Sequence, residues 1–100
     1  MPKTYSLSDT AQLDYEEILE YIGNDNPFAA RKVSTQFKTA FDQLADHPYM
    51  GHKREDLTLK PLRFWPVGNY LVIYDPNASP LQIIRILSGY RDAIYRVDDI

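Results

Sequence analysis

The spacing of apolar residues changes once along this chain, near residue 60, and that change limits the folds open to it. Between Asp9 and Asp46 apolar side chains recur every three or four residues: Ala11, Tyr15, Ile18, Leu19 and Ile22, then Ala30, Val33, Phe37, Ala40, Phe41 and Leu44. That period lines one face of an α-helix. From Pro61 onward the pattern becomes short, near-continuous apolar runs rich in β-branched and aromatic residues, which is the signature of strands. Helices first and strands afterwards imply an α+β domain rather than an alternating α/β one.

Local signals set the boundaries. Tyr5-Ser6-Leu7 is β-like and suits an edge strand; Ser8 is placed to cap a helix from about Asp9 to Ile22, with Asp9 at the positive end of its dipole. Gly23-Asn24-Asp25 ends that helix. Asn26-Pro27 opens a second one, which extends to about Asp46 and stops at His47-Pro48. So short a connection makes the helices antiparallel, and their shared apolar stripe needs a sheet to cover it. Tyr49 to Lys60 reads as a polar surface loop. Strands are expected at Pro61 to Trp65, Tyr70 to Tyr74 and Leu81 to Leu87, joined through Pro66-Val67-Gly68-Asn69 and through Asp75 to Pro80. The last two are apolar at nearly every position, as strands covered on both faces are. Gly89 ends the run, and Asp92 to Val97 form a last helical turn or tail. The expectation is one domain over residues 1–100, ordered β-α-α-β-β-β, with a helical hairpin packed on a small antiparallel sheet.

Composition narrows the function. The chain has 100 residues, a net charge of −3 and no cysteine, which excludes a disulfide frame or a thiolate zinc site. The first residues hold no apolar leader, and no window reaches the ~18 apolar residues of a membrane span, so a cytoplasmic protein is expected. Residues 1–50 carry four basic against eight acidic residues, residues 51–100 seven against six. A protein built to grip phosphates would show a basic surplus, so the balance favours a protein target over direct nucleic-acid binding.

Isolated arginines in the apolar C-terminal half are the candidate functional residues. A desolvated guanidinium is either held by a partner or kept for one. If the strands pair in sequence order, Arg63 and Arg85 flank the central strand and Arg91 follows, a set suited to a carboxylate-bearing partner; alternatively Arg85 is satisfied by Asp92 or a backbone carbonyl. Trp65 and Tyr90 stand beside them as interface aromatics, whereas Tyr70 and Tyr74 read as core. His47 and His52 lack carboxylate neighbours at ligand spacing, so neither a metal nor a cofactor is expected. Asp14, Glu16, Glu17 and Glu20 read as the solvated face of the first helix rather than as acid–base catalysts.

Taken in order, these residues resemble the ParE branch of the RelE/ParE toxin family. Leu7, Ser8, Ala11, Asp14, Tyr15, Ile18, Tyr21 and Ile22 are similar to its opening helix, and Asn26-Pro27 with Ala29 and Ala30 to its second helix start. Pro48-Tyr49-Met50-Gly51 resembles its Pro-x-x-Gly loop; Arg63, Pro66-Val67-Gly68, Tyr70, Tyr74, Arg85, Leu87, Gly89 and Arg91-Asp92 resemble its sheet. The resemblance implies the toxin of a type II toxin–antitoxin pair, without catalytic residues, silenced by a ParD-like antitoxin and acting by binding DNA gyrase. It points to Arg63, Trp65, Arg85, Tyr90 and Arg91 as the antitoxin- or target-binding residues. The related RelE branch, which cuts messenger RNA on the ribosome, implies the alternative of an endonuclease, with Lys53 and Arg54 in the loop where its lysines are expected. A third possibility is a homologue that only binds antitoxin.

Overall fold

The computed structural model describes residues 4–89. Six elements succeed one another along the chain: β1 (Tyr5–Leu7), α1 (Asp9–Asp25), α2 (Pro27–Asp46), β2 (Arg63–Val67), β3 (Tyr70–Asp75) and β4 (Leu81–Ser88). Ser8 caps α1 as its spacing indicated: its Oγ accepts from the Ala11 N–H at 3.1 Å and donates to the Ile84 carbonyl at 2.8 Å. One side chain thus starts the helix and ties it to β4.

The helix connection is tighter than the sequence suggested. α1 runs through Gly23-Asn24-Asp25, and Asn26 alone separates it from α2. Asn26 manages this by serving both ends, donating its N–H to the Ile22 carbonyl (2.9 Å) while its Oδ1 accepts from the Ala29 N–H (3.1 Å). The helices fold back on one another, with the Tyr15 hydroxyl 2.7 Å from the Ser34 Oγ and the Tyr15 and Phe37 rings 5.9 Å apart, edge to face.

The sheet order is β1-β4-β3-β2. β2, β3 and β4 pair antiparallel in sequence order, as expected, but β1 lies parallel to β4, so the four-stranded sheet is mixed. A three-residue strand carries no sequence mark of its direction. The β2–β3 turn is also displaced from the sequence reading: Pro66 and Val67 belong to β2, opposite Leu71 and Tyr70, and Gly68-Asn69 alone make the turn. Gly68 takes φ of +58°, the left-handed value that the first position of a two-residue hairpin turn needs. Pro66 is tolerated because β2 is an edge strand. That edge is partly closed by His52, whose N–H and carbonyl both bond Phe64, at 2.9 and 2.8 Å.

Both faces of the sheet are covered. Phe37, Phe41 and Leu44 of α2 and Ala11 of α1 pack on Val72, Tyr74, Leu81, Ile83 and Ile86. The alternate residues, Leu71 and Ile73, face the other way and join Phe64, Leu87 and Leu62, with Leu57 of the 53–62 loop packed against them. This is why β3 and β4 are apolar at successive positions. The register between these two strands slips once. Tyr74 pairs with Ile83 and Ile73 with Arg85, leaving Ile84 without a counterpart. The extra residue breaks the alternation of β4, so that Ile83 and Ile86 both pack under the helices while Arg85 between them reaches α1.

Candidate functional site

Arg63 and Arg85 are positioned by strands on either side of β3, yet the structure brings them to different partners. Arg63 opens β2, paired with Tyr74 of β3. Its Nη1 donates to the Gly51 carbonyl at 2.7 Å and to the Tyr49 carbonyl at 3.3 Å, and its guanidinium carbon lies 5.1 Å from the centre of the Tyr49 ring. Tyr74 works from the adjacent strand on the same loop. Its buried hydroxyl donates to the Pro48 carbonyl at 2.7 Å and accepts from the Gly51 N–H at 2.8 Å. Burial pushes the Tyr74 hydroxyl above its ordinary pKa, against the opposing pull of the Gly51 hydrogen bond and the Arg63 charge. Together the two side chains latch Pro48-Tyr49-Met50-Gly51 onto the sheet. The latch leaves Tyr49 at the surface, 63% exposed, with its hydroxyl donating to Asn77 Oδ1 at 3.0 Å.

Arg85 meets neither Arg63 nor that loop. Its Nε donates to Asp14 Oδ2 at 2.8 Å and its Nη2 to Asp14 Oδ1 at 3.2 Å, a two-pronged pair in which both side chains are about 15% exposed. Asp14 Oδ2 also accepts the Ile86 N–H at 3.0 Å. Asp14 is therefore a clasp between α1 and β4 and not part of the solvated face, where the sequence reading put it. The signal was present, an acidic residue four positions before Ile18 on the buried stripe, but its partner lies 71 residues away.

Trp65, half-buried in β2, packs against the helix-side core, with the exposed His52 ring stacked at 6.4 Å. Tyr74 is a core residue as expected, whereas Tyr70 is partly buried at the core's edge, packed on Phe37 with ring centres 5.3 Å apart. Tyr90 and Arg91 lie outside the described residues, as do Asp92 to Val97. Among the described residues no His, Cys, Asp and Glu side chains gather as a metal site, and no helix is long and apolar enough to cross a membrane. In the 53–62 loop Arg54 grips Asp56 with two hydrogen bonds, which hold the Asp56 carboxyl below its usual range.

Besides Asp14, the sequence reading missed Tyr49 and the Arg63–Tyr74 latch. It also missed large side chains left in water on the hairpin, Tyr21 at 79% and Phe28 at 77% exposure. Tyr21 borders a groove of about 380 Å³ between α1 and the ends of β3 and β4, together with Asp14, Glu17, Ile18, Tyr70 and Ile86.

Comparison with known proteins places these features in a family. The chain is 33% identical over 81 residues to Toxin RelE2 of Caulobacter vibrioides, an alignment covering 81% of this chain and 89% of the relative. Its fold superimposes on a chain of the chromosomal ParDE toxin–antitoxin system of P. aeruginosa with a TM-score of 0.72, over 88% of this chain and 97% of that one, at 15% identity. Residues 5–93 match the family profile described as ParE toxin of the type II toxin–antitoxin system parDE. The helical hairpin on a four-stranded sheet, the clasped Pro-x-x-Gly loop and these matches agree: the chain belongs to the ParE toxin family of type II toxin–antitoxin systems.

Proposed function

We propose that this toxin acts by binding and disabling DNA gyrase, that it performs no chemistry of its own, and that a ParD-like antitoxin silences it in the cytoplasm. The observation that carries the reading is the engagement of Arg63 and Arg85. A ribonuclease of the RelE kind needs cations presented to a scissile phosphate. Here Arg63 is turned inward onto loop carbonyls and Arg85 is clasped by Asp14. Next to Arg85, α1 carries the exposed Asp9, Glu16, Glu17, Glu20 and Asp25 with no lysine or arginine, charge that repels RNA phosphates.

The ribosome-dependent endonuclease remains the second reading. Lys53 and Lys60 border a cavity of about 250 Å³ in the 53–62 loop, beside the Asp56-bound Arg54, where a phosphate would find cations. Purified toxin added separately to a gyrase supercoiling reaction and to a translating extract decides between the two. Supercoiling is expected to stop while messenger RNA stays intact. Cleaved message with untouched gyrase refutes the reading, and neither effect leaves a homologue that only binds antitoxin.

A further inference from the structure

We infer that the groove between α1 and the ends of β3 and β4 receives an amphipathic segment of the antitoxin that carries apolar anchors flanked by lysine or arginine. The inference rests on the antitoxin being this chain's partner. It reverses the charge expected from sequence, in which acidic groups of the partner reached toxin arginines. Arg85 already has its carboxylate: Asp14 holds it at two points and takes the Ile86 N–H as well. Asp14, already engaged by Arg85, lines the groove beside apolar surface from Ile18, Tyr70 and Ile86.

The rim is different. Glu17 lines the groove and is exposed, Glu16 and Glu20 are exposed next to it on the same helix, and no basic residue of α1 offsets them. Tyr21, one turn beyond Glu17, is a large aromatic ring 79% exposed at the groove. An occupant that buries Tyr21 and Ile18 must pass the glutamates. A neutral apolar segment would desolvate them without compensation and an acidic one would be repelled, whereas a cationic flank pairs with them at the water-exposed edge. Apolar anchors three or four residues apart on a short helix match the form of such a groove.

The test titrates wild-type and variant toxin with the candidate ParD-like antitoxin, the product of any short reading frame found abutting the toxin gene, by calorimetry, at low and high salt, with a melting curve for each variant. Glu17→Lys with Glu20→Lys is expected to weaken binding about tenfold or more and to flatten its salt dependence, because Glu17 lines the groove and Glu20 is exposed one turn along the same helix. Tyr21→Ala is expected to weaken binding to a similar degree while keeping the salt dependence of the wild type. Lys53→Glu with Lys60→Glu, away from the groove, is expected to leave affinity within about twofold. Groove variants that bind like wild type overturn the inference, as does weakening by the loop reversal alone, which indicates an acidic segment on the basic loop. Unchanged affinity with a lowered melting temperature in the Tyr21 variant also overturns it, indicating that the chain's own residues fill the groove. Wild-type toxin that forms no complex with this product refutes the antitoxin reading itself and the inference with it.

Discussion

The clasp between Asp14 and Arg85 should be one of the largest single contributions to stability in this domain, and a double-mutant cycle measures it. Asp14→Ala leaves the Arg85 guanidinium at a site where about 15% of its surface meets water, and it strips the Ile86 N–H of its acceptor. Removing one partner of a fully buried pair costs roughly 3–5 kcal/mol. Residual solvent at this pair reduces the charge component, while the lost hydrogen bond adds about 1 kcal/mol, so the net cost should be about 2–3 kcal/mol. Arg85→Met, which keeps an unbranched apolar stem, leaves Asp14 without its counter-ion and should cost about 2 kcal/mol. The double variant removes both halves of the ion pair together, so its cost should fall short of the summed single costs by about 1–2 kcal/mol. Trp65 is the sole tryptophan of the chain and sits in the sheet, so urea unfolding followed by its fluorescence reads all four proteins. In a domain of this size 2 kcal/mol corresponds to a melting shift of roughly 8–16 °C. Single variants within about 0.5 kcal/mol of wild type, or purely additive costs, would show that α1 is held to β4 by packing alone.

The loop latch makes three further predictions, and the end of the chain a fourth. Tyr74→Phe keeps the ring but leaves the Pro48 carbonyl and the Gly51 N–H unpaired, and urea unfolding should show a loss of roughly 1–3 kcal/mol. Because burial raises the pKa of Tyr74, its contribution is complete below the ordinary tyrosine value of about 10 and is lost as pH rises through the raised value. Wild-type stability should therefore fall in strongly alkaline buffer, and Tyr74→Phe should flatten that fall; equal slopes would contradict the assignment. Gly51→Ala directs a methyl group at the Tyr74 hydroxyl, 2.7 Å from Cε1 and 3.0 Å from the Phe64 carbonyl, and should destabilise by about 1–3 kcal/mol in the same assay. Tyr90 and Arg91 come just after the last strand in sequence, so Tyr90→Ala with Arg91→Ala should abolish growth inhibition in cells lacking antitoxin while leaving the urea midpoint nearly unchanged. A stable double variant that still kills would move the poisoning surface to the helical hairpin.

Much of this architecture was legible in the sequence because it rests on local rules. The 3.6-residue period, the Ser8 cap, Pro27 at a helix start and the run of apolar residues in β3 and β4 each act over a few neighbouring residues, so reading them requires no partner. The same rules placed Tyr74 in the core. They failed where two solutions were locally equivalent: Asn26 could end one helix or begin another and does both, and Pro66 could turn the chain or sit on an edge strand. The direction of β1 and the partners of Arg63, Arg85 and Asp14 belong to a different category. An arginine in a strand carries the same sequence signal whether it faces a partner protein, a loop carbonyl or an aspartate 71 residues earlier. Which of these it meets depends on strand order and on the extra residue at Ile84, which redirects Arg85 toward α1. The sequence by itself determined that the chain would be a helical hairpin on a small sheet with charges kept for some purpose; only the tertiary structure decided that two of those charges hold the fold together, because pairing across distant elements is settled by packing and not by spacing along the chain.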